Sequence, residues 1–304
     1  MGLFYRTGNG DCDMRRFCDL HTHSLASDGT VSPAELIALA ERKHLAGVAL
    51  TDHDTVAGLA EAARAAEQFP SLRFVPGIEV SASFPHGTLH ILGLCFDPAS
   101  PGLAHLAAEL RGAREERNPK MIARLQGLGV DVTLDELVAE TARKAGPASP
   151  SQRVVGRAHL AMLLVRKGYA KSIPDAFARY LGAGAPAYVD KERLTPAQVI
   201  AGIHSGAGLA MLAHPVQLKY ENFAQCERIV RSLMHAGLDG IEVYHSDHSD
   251  LETRFFLDLA RKLNLAISGG SDFHGSVKED VRLGNPRVPV DILEALLARA
   301  AGKR

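Results

Sequence analysis

A (β/α) barrel interrupted by an all-helical insertion is the fold class this 304-residue sequence predicts, and three observations lead there. Seven strand-like runs alternate with helical stretches, at 17–21, 47–51, 73–80, 89–96, 209–213, 240–244 and 265–268. Most are continuously apolar rather than alternating, as expected for parallel strands covered on both faces. Residues able to carry chemistry gather at one end of these runs, and barrels of this class place their active sites at the C-terminal strand ends.

The elements can be justified in order. Residues 1–16 read as a polar, glycine-containing tail, expected to be poorly ordered. The first helix starts at Ser32-Pro33-Ala34-Glu35, a capping box with proline at its first turn. Thr195-Pro196-Ala197-Gln198 repeats that design before the fifth strand. Between residues 98 and 199 the strand–helix alternation stops. Helical periodicity, a helix start at Thr133-Leu134-Asp135-Glu136 and Gly/Pro punctuation near 146–150 and 182–186 predict a helical insertion after strand four. The expected division is therefore 17–97 plus 200–304 for the barrel, with the insertion as a substrate cap. The insertion carries 15 Lys/Arg against 10 Asp/Glu, or +5, which leaves −6 for the rest of the chain. A basic cap over an acidic mouth suits an anionic substrate.

Composition excludes several classes. A net charge of −1 provides no global field for gripping long DNA. No apolar run reaches the ~18 residues needed to span a membrane, and no signal-peptide core opens the chain. Cys12, Cys18, Cys95 and Cys226 form no CxxC pair or disulfide framework, which points to a reducing cytoplasm.

The strand ends form a consistent set. Strand one ends in His21-Thr22-His23 with Asp28 behind it, and two histidines at i and i+2 on a strand point the same way. Strand two runs into Asp52-His53-Asp54, strand three carries Glu79, strand four begins with His90, strand five ends in His214, and strand seven ends in Asp272-Phe273-His274. So many titratable groups at one buried face would be left unpaired unless metal offsets their desolvation. Histidine and carboxylate without thiolate favour Mn²⁺ first, with Zn²⁺, Fe²⁺ or Mg²⁺ as alternatives. Nine ligands exceed the needs of one ion, so two or three are expected, with a bridging carboxylate.

His21-x-His23, Asp28-Gly29, Thr51-Asp52-His53-Asp54, Pro76-Gly77-Ile78-Glu79, Ala213-His214-Pro215 and Gly270-Ser271-Asp272-Phe273-His274 resemble the motifs of the PHP (polymerase and histidinol phosphatase) family. The resemblance implies a distorted seven-stranded (β/α) barrel and a trinuclear centre. It implies His21, His23, Glu79 and Asp272 on one metal, Asp28, His53 and His274 on a second, and Glu79, His90 and His214 on a third. The insertion, through Gly156-Arg157-Ala158-His159, Lys167-Gly168-Tyr169 and Pro186-Ala187-Tyr188, is similar to small PHP phosphoesterases that include 3′,5′-nucleoside bisphosphate phosphatases and a 5′→3′ exoribonuclease. Ala158 stands where that subfamily has proline. Arg157 and His159 would reach a substrate phosphate.

The expected reaction is removal of the 3′-phosphate from a nucleoside 3′,5′-bisphosphate by a metal-bridging hydroxide. His248 or His159 is the expected general acid, and Arg117 or Arg153 the ligand of the second phosphate. Three rivals remain: trimming of short 5′-phosphorylated RNA, histidinol-phosphate hydrolysis, and amidohydrolase-type C–N cleavage. The last is disfavoured because strand four lacks a lysine. A non-catalytic module is disfavoured because every expected ligand position is filled.

Overall fold

The computed structural model describes residues 16–85, 87–142, 155–190 and 193–303. Eight strands form one sheet: β1 (Phe17–Asp19), β2 (Gly47–Leu50), β3 (Arg73–Ala82), β4 (Leu89–Leu94), β5 (Leu209–Leu212), β6 (Gly240–His245), β7 (Ala266–Gly270) and β8 (Val288–Pro289). Their order is β7-β6-β5-β4-β3-β2-β1-β8. The sheet curls until its two sides meet, with Leu20 N–H donating to Gly269 O at 3.0 Å and Asp272 N–H to His21 O at 2.9 Å. Gly270 permits that seam, because a Cβ there would lie 2.4 Å from the His21 backbone nitrogen.

Two features depart from the seven-stranded parallel expectation. β4 runs antiparallel to both β3 and β5, and the two-residue β8 pairs antiparallel with β1. The hairpin from β3 to β4 has an important result. It brings the start of β4 to the same end of the barrel as the C-termini of the other strands, so His90 pairs with Ser81 at the mouth.

Side-chain alternation then partitions the barrel. Ala49, Val75, Leu92, Leu94, Leu209 and Met211 fill the lower interior and pack on Leu293 and Leu296 of a C-terminal helix. Ile78, Val80, Ile91, Leu212 and Ile241, at the opposite parity, pack on the surrounding helices. Moving toward the mouth, the inward positions change from apolar to polar: Leu92 is followed by His90, Val75 by Glu79, and Gly240 by Glu242.

Helices surround the sheet and build a second, smaller core beside it. α1 (Pro33–Arg42) begins with the Ser32–Glu35 capping box, and α2 (Leu59–Ala66) follows β2. α3 (Pro101–Gly127) is long; Leu103, Leu106 and Leu110 pack on the barrel, while Met121, Ile122 and Leu125 join a separate core. That second core contains Leu137 of α4 (Leu134–Ala142) and Leu160, Leu163 and Leu164 of α5 (Arg157–Arg166). It also takes in Ala176 of α6 (Ile173–Ala176) and the π-helical turn Phe177–Leu181. α7 (Pro196–Ser205) starts at the Thr195–Gln198 capping box and leads into β5. α8 (Phe223–His235), α9 (Asp250–Leu263) and α10 (Val290–Ala301) complete the wrap.

Candidate metal centre and its cavity

All nine residues expected as ligands converge at the barrel mouth. Glu79 is central and 1 % exposed. Its Oε1 lies 2.7 Å from His90 Nδ1 and 2.9 Å from His214 Nε2. Its Oε2 lies 2.9 Å from His53 Nδ1, 3.3 Å from His23 Nε2 and 3.4 Å from His21 Nε2. Asp272 Oδ1 faces the same pair of histidines, at 3.2 Å from His23 Nε2 and 3.4 Å from His21 Nε2. Asp28 gathers His274 Nε2 at 3.3 Å, His23 Nδ1 at 3.7 Å and His53 Nε2 at 3.8 Å. Two groups able to hold an ion follow directly: His21–His23–Glu79–Asp272 and His23–Asp28–His53–His274. A third is Glu79–His90–His214, whose His90 Nδ1 and His214 Nε2 are 3.2 Å apart.

The fit to metal rests on orphaned donors. His21 Nε2, both ring nitrogens of His23, His53 Nδ1 and Glu79 Oε2 are buried without a hydrogen-bond partner. Buried polar atoms are normally satisfied, so this many lone pairs aimed at one volume indicates cations. Electrostatics agree. Burial opposes charge on Glu79, yet His53, His90 and His21 hold its carboxyl well below the usual range. Burial also opposes charge on His21, but Glu242, Glu79 and Asp272 raise its pKa well above normal. Burial and the neighbouring His214 and His53 take His90 down to about 4, which leaves a neutral imidazole suited to ligation. Two of the candidate ligands, His214 (φ 23°) and Asp272 (φ 58°), adopt positive φ, a strain that accumulates at functional sites.

Beside the cluster opens a cavity of about 150 Å³, bounded by Asp28, His53 and His90 on the barrel side. The helical side supplies Arg114, Arg117, Arg157, Arg193 and His159. Arg157 is set by the π-helical turn: its Nη1 donates to Leu181 O at 3.4 Å, and its guanidinium lies 5.4 Å from the Tyr188 ring centre and 5.8 Å from that of Phe177. Burial, together with Arg114 and Arg157, pulls Arg117 down to about 9, against an opposing pull from Asp54. His159 accepts the Gly156 N–H on Nδ1 at 3.2 Å.

Of the two histidines expected as the acid, His159 lines the cavity. His248 does not line the cavity. It packs behind His245, its Nδ1 donates to Val243 O at 2.8 Å, its ring lies 4.8 Å from Phe256, and burial lowers its pKa to about 4. With Nδ1 committed to Val243 O and the ring absent from the cavity's lining, His248 is less well placed than His159 to reach a substrate there. Arg153 lies outside the described residues. Sequence reasoning missed Arg114, Arg193 and the role of Glu242. Glu242 binds His21 Nδ1 at 3.0 Å and accepts His214 N–H at 2.7 Å; with His21 and His245 it forms a further group able to hold an ion.

The model of the PHP domain matches residues 19–253. A 3′,5′-nucleoside bisphosphate phosphatase of Chromobacterium violaceum is 36% identical over 256 residues, 84% of this chain and 86% of that protein. A 5′-3′ exoribonuclease of Haemophilus influenzae is 33% identical over 262 residues, 86% of this chain and 91% of that protein. A solved chain from Bifidobacterium adolescentis, given as a candidate metal-dependent phosphoesterase, superposes with a TM-score of 0.81 at 30% identity, covering 93% of this chain and 96% of its own.

Proposed function

The chain belongs to the PHP domain family, and from that premise we propose that it removes the 3′-phosphate of nucleoside 3′,5′-bisphosphates, leaving a nucleoside 5′-monophosphate and phosphate. The observation that carries this reading is the 36% identity, over most of both chains, to a protein named for that reaction. The cavity supports it, with carboxylates and imidazoles on one wall and four arginines on the other.

His21, His23, Glu79 and Asp272 would hold one divalent ion, Asp28, His53 and His274 a second, and Glu79, His90 and His214 a third. Bound there, such ions, Mn²⁺ first among them, stabilise charge on the phosphoryl oxygens and lower the pKa of an attacking water. Arg157 presents a planar fork of donors to the substrate, and its stacking on Tyr188 and Phe177 fixes the fork's direction. Arg117 supplies charge for the second phosphate. His159 is the general acid of this reading. Because its Nδ1 accepts a backbone N–H, the ring's own proton sits on Nε2, the atom that would hydrogen-bond the departing ribose O3′ and take up its developing charge. The helical segment acts as the substrate cap.

We place the protein in a reducing cytoplasm, since Cys18 and Cys226 are buried thiols. Among the described residues no helix is long and apolar enough to cross a membrane. The exoribonuclease relative supports a second reading, trimming of short 5′-phosphorylated RNA. Phosphate release from adenosine 3′,5′-bisphosphate in Mn²⁺, with 5′-phosphorylated short RNA alongside, tests both. AMP and phosphate with intact RNA would support the first reading. Stepwise mononucleotide release with the bisphosphate inert would replace it by the second, and inertness toward both would end both.

A further inference from the structure

Asp54 follows the candidate ligand His53, yet it belongs to none of the groups able to hold an ion. It is 0 % exposed and holds a φ of 57°, a conformation that Asn and Asp tolerate better than most residues. Its N–H donates to Glu79 O at 2.8 Å, and its Oδ1 accepts the Ser81 N–H at 3.3 Å. Asp54 is therefore locked to the strand that carries the bridging carboxylate.

Its other oxygen reaches across to α3. Oδ2 accepts Arg114 Nε at 2.8 Å and Arg114 Nη2 in a shorter contact. With that edge of the fork committed, Arg114 turns Nη1 toward the segment leading into α5. Gly156 lies against it so closely that a Cβ there would sit 2.7 Å from Nη1. Gly156 in turn gives its N–H to His159 Nδ1, and its carbonyl accepts the Leu160 N–H at 3.3 Å. Arg157 is the next residue in the chain.

We infer that Asp54 is a positioning residue: through Arg114 and the side-chain-free surface of Gly156, it fixes the first turn of α5, and hence Arg157 and His159, over the metal cluster. Arg114 then serves as a strut between barrel and helical segment and not as a free phosphate clamp. Gly156 is the position where the strut meets α5. The chain of contacts joins residues 54, 114 and 156, far apart in sequence. The functional consequence rests on the proposed phosphatase reading, but the mechanical one does not.

The test uses the full chain and three variants. Asp54→Asn keeps shape and tolerance of positive φ while removing the charge. Arg114→Lys keeps charge but loses the fork. Gly156→Ala places a methyl against Nη1. Hydrogen exchange in the first turn of α5 is read in the metal-free protein without substrate, beside bound Mn²⁺ per chain and separate KM and kcat values for adenosine 3′,5′-bisphosphate. The expected result is faster exchange at Leu160 in all three, an unchanged Mn²⁺ count, and KM raised at least ~10-fold with kcat changed less. Asp54→Asn combined with Arg114→Lys should be no worse than the more severe single change, because both remove one interaction. Unaltered exchange, or a fall in Mn²⁺ count that accounts for the lost activity, would overturn the strut. If the wild-type protein proves inert toward the bisphosphate, the phosphatase reading fails, and the exchange measurement still decides the strut.

Discussion

Glu79→Gln gives the strongest test of the metal centre, because one buried carboxylate faces five imidazoles within 3.4 Å. The substitution keeps the side chain's shape and removes one charge. In the metal-free protein at pH 6, that charge balances imidazoles whose pKa values are raised, His21, His23 and His53. Removing one member of a buried pair costs about 3–5 kcal/mol. For a chain of this size that corresponds to a fall in Tm of roughly 5–8 °C. The sign with pH is fixed. Groups whose folded pKa is raised contribute stability that is full below their unfolded value and lost as pH rises through the folded one. The metal-free wild type should therefore lose its advantage over Glu79→Gln as pH rises above those raised values. In the loaded protein, loss of the Glu79 carboxylate should lower the Mn²⁺ count per chain and cut phosphate release by at least ~100-fold. Calorimetry of the metal-free proteins at pH 6 and above pH 9, elemental analysis after Mn²⁺ loading, and phosphate release make the assay. A Glu79→Gln protein that melts with the wild type, carries the full metal complement and works within about threefold of it would refute the reasoning.

Two further outcomes follow from the walls of the cavity. Arg157→Lys retains the charge but loses the planar fork and the stacking on Tyr188 and Phe177. A charge-assisted hydrogen bond is worth about 1.5–3 kcal/mol, so KM should rise roughly 10- to 100-fold with the Mn²⁺ count unchanged, and an unaltered KM would remove Arg157 from substrate binding. His248→Gln should leave kcat within about threefold, since the ring does not line the cavity, and a large fall in kcat would restore it as an acid. The folded pKa of His248 is depressed to about 4, so the wild type loses its contribution as pH falls from near 6.5 toward 4. The gap in Tm between wild type and His248→Gln should shrink across that window.

Much of the barrel was legible because two periodicities coincide. An inward carboxylate or imidazole at the end of an apolar strand is visible at a spacing of two, as with His21 and His23, and the capping boxes at Ser32 and Thr195 mark where the helices begin. The reversal of β4 was harder to see, because a buried apolar strand reads alike in both directions. The available signal was the connection of residues 83–88, too short for a parallel crossover. β8 spans two residues and leaves no pattern. The arginine wall was half legible. Arg157 and Arg117 stand in recognisable contexts, but Arg114 acquires its place only through Asp54, sixty residues away in sequence. The direction of His248 was not legible, because a histidine just beyond a strand end can face the mouth or turn behind it. Its bond to Val243 O turns it behind.

Glu242 shows what an inventory of ligands omits. Its Oε1 takes His21 Nδ1, which commits the opposite nitrogen of that ring, Nε2, to Glu79 and Asp272. Its Oε2 accepts the backbone N–H of His214, whose φ of 23° needs such support. One carboxylate thus stands behind ligands in two different groups, orienting one ring and bracing the backbone of the other. Burial opposes its charge, but His21, His245 and His214 hold the Glu242 carboxyl down at about 2, so it remains charged through any pH at which the site could work. Its placement follows from strand parity: Ile241 and Val243 face the helices, so residue 242 must face the barrel interior at the level where that interior turns polar. A buried charge there is tolerable only if its neighbours are cationic or bind cations, and the geometry of His21 and His214 supplies that condition.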